Sequence, residues 1–119
     1  MVKVDIIVGR PRKLVELKIC DGTLGEVKLY LSQTCRVMVE GHLIDEEMIK
    51  VERTLPLEKL EMGVEEFTTY IQGVWREMMN ELETERNKAL EKWVAFSKLL
   101  EDVEDYFIVR ESAQIICAP

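Results

Sequence analysis

The chain of 119 residues contains one histidine and three cysteines, Cys20, Cys35 and Cys117. The cysteines are widely spaced and no two stand in a Cys-x-x-Cys pair, so a zinc site would need nearly every candidate ligand to converge. We therefore expect no metal and no cofactor. Free thiols in a reducing compartment are the expected state, and a Cys20–Cys35 disulfide is the alternative.

Long apolar runs are also missing. Charged residues interrupt every apolar segment before it reaches the roughly 20 residues that a membrane-spanning helix needs. The N-terminal residues 1–5 lack the basic-then-apolar layout of a secretory signal. With 47% hydrophobic and 33% charged residues, the composition suits a folded core. We expect a single domain over residues 1–119, cytoplasmic and without membrane contact. The richness in Glu, Lys and Arg is typical of heat-loving organisms.

Catalytic motifs are scarce as well. The chain has no phosphate-binding glycine loop, no nucleotide-binding fingerprint and no pair of histidines at metal-ligand spacing. Carboxylates are abundant, but no pair of them lies in an apolar stretch that would shift a pKa. Cys35, His42 and a carboxylate form the one set that could act as nucleophile and base, without a local signature to support it. We expect a protein that is not an enzyme, with a small Cys/His/carboxylate enzyme as the third alternative.

The acidic balance disfavours general binding to nucleic acid, because the net charge is −7 and phosphate neutralisation supplies most of the affinity there. Residues 1–38 nevertheless hold seven basic against four acidic side chains. The Gly9-Arg10-Pro11-Arg12-Lys13 segment resembles half of an AT-hook and lacks the second basic arm. Arg10, Arg12 and Lys13, with Tyr30 as a stacking platform, are the candidates for contact with an anion or nucleic acid.

The first 55 residues have the alternating pattern of β-strands. Apolar residues recur at alternate positions in five runs: from Val2 to Val8; at Val15, Leu17 and Ile19; at Val27, Leu29 and Leu31; from Arg36 to Glu40; and at Ile49, Val51 and Leu55. Turn signals separate these runs at residues 9–12, at 21–25 and at 41–42. The short connections predict an antiparallel meander of four or five strands. Its outward face carries five basic and five acidic residues, which we expect to pair across strands. The basic ones are Lys3, Lys18, Lys28, Arg36 and Lys50, and the acidic ones are Asp5, Glu16, Glu26, Glu40 and Glu52.

Residues 64–105 contain no proline and carry apolar side chains at helical spacing. The six polar residues Glu83–Lys88 interrupt the apolar stripe, so the segment predicts one long helix or a helical hairpin broken there. We favour the continuous helix. The tail, residues 106–119, is apolar and partly β-branched, and we expect it to return as an edge strand.

The length of this helical segment predicts self-association. Some 40 helical residues span about 60 Å, whereas a compact domain of this size is about 35 Å across. A continuous helix should therefore protrude and cover its apolar stripe with a second chain. The expected interface comprises Phe67, Ile71, Met78, Leu82, Ala89, Trp93, Phe96 and Leu100.

These patterns together predict an α+β protein without catalytic activity that works through protein contacts, as an adaptor, assembly factor or regulator. It should form a homodimer, and an unidentified protein is a further expected partner. A protein that binds nucleic acid is the second alternative.

Overall fold

The computed structural model describes residues 4–109 of the chain. Four strands and a short 3₁₀ turn precede one long helix. The strands are β1 (Val4–Val8), β2 (Arg12–Cys20), β3 (Thr23–Val39) and β4 (His42–Leu55), the 3₁₀ turn is Leu57–Glu61, and the helix α1 is Val64–Glu101. The predicted α+β class, with an antiparallel sheet followed by a continuous helix, is confirmed.

The sheet is built on β3, which pairs with all three other strands. β4 lies along one edge of β3, from Val27 to Val39, while β2 and then β1 lie end to end along the other edge. Between β1 and β2, the three residues Gly9–Pro11 stand opposite only two residues of β3, Gln33 and Thr34. The extra residue is a bulge, so the sheet is three strand widths across and follows the chain as a meander.

Two tight turns fix the register of the long hairpins. Asp21-Gly22 joins β2 to β3 and Glu40-Gly41 joins β3 to β4, and all four residues have positive φ. Two-residue loops of this kind match the twist of antiparallel strands, and glycine adopts positive φ without strain. The register therefore places Val27, Leu29 and Leu31 on the face that α1 covers, which we call the inner face.

The helix does not protrude, contrary to the prediction from length. β3 has 17 residues and spans about 56 Å at 3.3 Å a residue, and α1 has 38 residues and spans about 57 Å. The sheet is as long as the helix, and the described residues measure 63 × 35 × 17 Å overall. The apolar stripe of α1 is thus covered by the sheet of its own chain.

A polar layer divides the core into two clusters. One cluster holds Leu31, Met78 and Leu82, and the other holds Cys35, Val37 and Leu90. Between them, the buried Gln33 donates from Nε2 to the Gly9 carbonyl at 2.8 Å and accepts from Arg86 at 3.2 Å. The interruption at Glu83–Lys88 therefore lies opposite a polar position of the sheet, which explains why the helix continues through it.

Two expectations about strand boundaries are corrected. The predicted third and fourth strands are one strand, because Ser32, Gln33 and Thr34 continue β3 instead of breaking it. The tail residues Tyr106–Val109 do not form a strand, and residues 110–119 lie outside the described part of the chain, as does the predicted strand start at Val2 and Lys3.

Gly73 offers a stabilising substitution. It lies inside α1, and the position of an added Cβ has open space around it. Gly73→Ala should raise the free energy of unfolding by about 0.5–1 kcal/mol, because alanine restricts the unfolded chain and favours helix. Gly41→Ala should lower it by about 1–2 kcal/mol, because its φ of +80° is strained for alanine. Urea unfolding at one fixed protein concentration measures both, and equal shifts of the same sign would contradict this assignment.

The polar layer gives a second prediction. Arg86→Ala should lower the free energy of unfolding by about 1–3 kcal/mol, because it leaves the buried Gln33 carbonyl without its donor. Arg76→Ala is the matched control, since Arg76 is an exposed arginine of the same helix, and it should change stability by less than about 0.5 kcal/mol. If urea unfolding shows that both variants lose the same free energy of unfolding, the polar layer does not depend on Arg86.

Candidate interaction surface

One side of the inner face is left uncovered. The side chains of Val15, Leu17 and Ile19 on β2 belong to the inner face, because Val15 and Leu17 stand opposite the buried Leu29 and Val27. Their exposed fractions are 55%, 60% and 62%. We call these three residues the β2 strip.

The β2 strip is exposed because a helix is narrower than this sheet. A helix with its side chains is about 10 Å wide, and three strands at about 4.8 Å spacing need more. α1 packs mainly over β3 and β4, where ion pairs also anchor it. Arg53 pairs with Glu81, and Lys92 Nζ donates to Glu47 Oε1 at 2.8 Å. β2 is consequently the strand that the helix leaves open.

A shallow cleft of about 300 Å³ separates β2 from the helix. Lys13, at the start of β2, places its Nζ 5.3 Å from the centre of the Trp75 ring and bridges the two elements. Met79 lies one turn further along the same side of the helix and lines the cleft with Trp75. The helix side of the cleft is mixed, since Gln72, Arg76 and Asn80 line it together with Trp75 and Met79.

The basic residues predicted to bind an anion or nucleic acid do not converge. Arg10 lies in the connection between β1 and β2. Arg12 stands opposite Ser32 and Lys13 stands opposite Leu31, so neighbouring side chains of β2 point to opposite faces of the sheet. Tyr30 is on the outer face, away from Lys13. The four candidates therefore do not form one site.

Opposite charges pair on the outer face of the sheet, as the alternation of signs predicts. Lys18 lies 3.7 Å from Glu26, and Arg36 lies 3.6 Å from Glu46. Lys50 Nζ is 4.4 Å from the centre of the Tyr30 ring, where a stacked base would have to bind. These contacts engage much of the positive charge that a nucleic acid would need.

The candidate catalytic set is not assembled either. Cys35 is buried on the inner face, and burial raises the pKa of its thiol, against the effect of Arg86. His42 stands opposite Val39. Val39 is four residues from Cys35 along β3, so His42 and Cys35 are about 13 Å apart in the strand direction. Both Cys20 and Cys35 are free, so the alternative Cys20–Cys35 disulfide is wrong. Cys117 lies outside the described residues. Within residues 4–109 no group of histidine, cysteine and carboxylate side chains could hold a metal ion.

The residues predicted to join two chains contact the sheet instead. Met78 and Leu82 have no exposed surface, and Leu100 is buried. Phe67 and Ile71 pack on the first core cluster. Trp93 packs on the second, and its ring nitrogen donates to Asp45 at 3.2 Å. Phe96 and Trp93 make an edge-to-face ring contact, and Ala89 is half-buried. A second chain could reach Met78 and Leu82 only if α1 left its own sheet.

The end of the helix holds a small apolar cavity of about 250 Å³. Phe96 and Leu100 of α1 line it together with Val39, Ile44 and the segment Tyr106–Val109. The Tyr106 hydroxyl lies beside the Glu40 carboxylate without a hydrogen bond of normal geometry. The interaction with this carboxylate, with a smaller effect of burial, raises the pKa of Tyr106 to about 12. The segment after α1 therefore lies against the hairpin that joins β3 to β4.

Comparison of the chain with protein-family models, with characterised proteins and with solved structures found no match. In the described part of the chain, no helix is both long and apolar enough to span a membrane.

The contact of Tyr106 with Glu40 predicts a pH dependence. The pKa of Tyr106 in the folded chain, about 12, lies above the ordinary value of 10.0. The stabilisation is therefore complete below pH 10 and is lost as the pH rises from 10 towards 12. Ultraviolet titration of the phenols should show a late ionisation step near pH 12 that disappears in Tyr106→Phe and shifts to lower pH in Glu40→Gln. A late step that Glu40→Gln leaves unchanged would contradict this contact.

Proposed function

We propose that the chain is a non-enzymatic interaction protein that works as a homodimer, with the β2 strip at the contact between copies. The observation that carries this proposal is the exposure of Val15, Leu17 and Ile19 on the inner face, beside a core that α1 covers elsewhere. Apolar clusters on a folded surface mark interaction sites far more often than single apolar residues do. A role as adaptor, assembly factor or regulator is consistent with such a surface.

The shape of the chain supports the need for a partner. The radius of gyration is 21.1 Å, whereas a compact domain of this length has about 13–14 Å. The described residues are only 17 Å thick, which is one sheet and one helix. A thin slab of this kind encloses little core for its length, so burial against a second copy would add to its stability.

The non-enzymatic part of the proposal is supported by the separation of the reactive side chains. Cys35 is enclosed between sheet and helix, and His42 lies at the far end of β4. Neither Cys35 nor His42 lines the cleft beside β2 or the apolar cavity at the end of the helix.

Side-chain burial alone would make a weak dimer. Covering the exposed parts of three aliphatic side chains in each of two copies contributes roughly 5–10 kcal/mol. Association of two chains costs about 4–15 kcal/mol in lost freedom. The two terms nearly cancel, so a stable dimer would need further contacts beside the β2 strip.

Light scattering after size exclusion tests the proposal directly. The wild-type chain should have twice the mass of one chain at micromolar concentration. Leu17→Lys should shift the mass towards that of a single chain, because it places a charge in the β2 strip. Met48→Lys is the control, since Met48 is 68% exposed on β4 and lies away from β2, and it should leave the mass unchanged. A single-chain mass for the wild type at the highest accessible concentration would refute the proposed homodimer.

A further inference from the structure

The outer edge of β2 is open to another strand. β2 pairs with β3 along one side only, and in the described residues its other side is the margin of the sheet. An open edge presents a row of unpaired backbone donors and acceptors, which is a template for strand addition. The same strand carries the exposed β2 strip, so its edge and its inner face lie together.

Stacking two copies through their inner faces is disfavoured by the outer side of the helix. In such a stack the side of α1 that faces away from its own sheet would lie against the β2 strip of the other copy. That side is exposed and polar, with Arg76, Glu77, Glu83 and Glu91 along its length. Burying these charges without partners would cost more than the strip contributes.

The other margin of the sheet is better protected. β4, the strand at that margin, carries three consecutive acids in its first half, Asp45, Glu46 and Glu47. Runs of charge on an edge strand discourage pairing with another chain. β2 has fewer charges along its length. After the basic residues Arg12 and Lys13, residues 14–20 contain only two charged residues, Glu16 and Lys18.

We propose that β2 pairs with β2 of a second copy, antiparallel and centred on Leu17; this inference rests on the homodimer proposed above. A two-fold axis perpendicular to the sheet joins two such edges and keeps both helices on the same face. Leu17 then stands opposite the partner's Leu17. Each backbone edge satisfies the other with main-chain hydrogen bonds, which supply the contacts that the β2 strip lacks.

Charge complementarity selects this register. With Leu17 at the centre, Glu16 stands opposite the partner's Lys18 twice, and Val15 stands opposite the partner's Ile19 twice. Centring on Glu16 would oppose Glu16 to its own copy, and centring on Lys18 would do the same with Lys18. Centring on Val15 would place Arg12 opposite the partner's Lys18. Of these four registers, only the one centred on Leu17 places opposite charges against each other and apolar side chains against each other.

Disulfide trapping tests the register in a Cys20→Ser/Cys117→Ser background, where the remaining Cys35 is buried. Leu17→Cys should cross-link most of the dimer under mild oxidation, because directly opposed residues are about 4.5–5.5 Å apart at Cα, within disulfide reach. Val15→Cys alone should not, because the two copies would be offset by about 13 Å along the strand. A mixture of Val15→Cys and Ile19→Cys chains should cross-link again.

Charge exchange provides a second test that does not depend on thiols. Glu16→Lys should weaken the dimer by about tenfold in Kd, because two attractive contacts become repulsive. The double variant Glu16→Lys/Lys18→Glu should return Kd towards the wild-type value, although it makes the pairs with Glu26 and Lys28 inside each chain repulsive. A recovered Kd beside a lower stability would separate a contact between copies from a loss of folding. Equal weakening in the single and double variants would overturn the register.

The two proposals fail in different ways. A wild-type chain of single mass would remove the homodimer and this inference together. The wild type could instead form a stable dimer in which Leu17→Cys does not cross-link and Glu16→Lys leaves the Kd unchanged. That result would keep the homodimer and overturn the pairing of β2 edges.

Discussion

The structure depends on a match of length between α1 and β3. A helix rises 1.5 Å a residue and a strand about 3.3 Å, so 38 helical residues need about 17 residues of strand to lie against, which is the length of β3. This match lets the helix remain unbroken and keeps its apolar stripe covered. It also makes the chain long and thin, with a core that is one side chain deep.

The same architecture has a mismatch of width. One helix covers about two strands, and the sheet has three strand widths, so an edge strand is left with its inner side chains in solvent. The open strand is β2, because ion pairs at Arg53 and Lys92 hold α1 over β3 and β4. The covered part of the sheet accounts for the stability of the chain, and the uncovered part is the surface on which the proposed self-association rests.

Much of the fold could be predicted from the sequence because its signals are local. The alternation along β2 and β3 predicts strands, the Asp21-Gly22 pair predicts a turn, and the absence of proline from residues 64–105 predicts a helix. The unbroken β3 was missed because Gln33 looks like an interruption, and its partner Arg86 is 53 residues away. The residues expected at the dimer seam on α1 pack on the chain's own sheet for a related reason: helical spacing reveals an apolar stripe and not what covers it. The width of the sheet relative to one helix was the signal that could have located the β2 strip.

The bulge at Gly9–Pro11 decides which side chains of β1 reach the inner face, because the Asp21-Gly22 turn already fixes the register of β2 on β3. β1 directs its even-numbered residues inward, with Ile6 opposite Val37, and β2 directs its odd-numbered ones, with Leu17 opposite Val27. The one additional residue between the strands changes the phase of the alternation. In a chain shortened by one residue there, β2 would keep its register on β3, and β1 would turn Val4 and Ile6 to the opposite surface. A single backbone insertion therefore keeps the apolar side chains of both strands of this margin on the helix side.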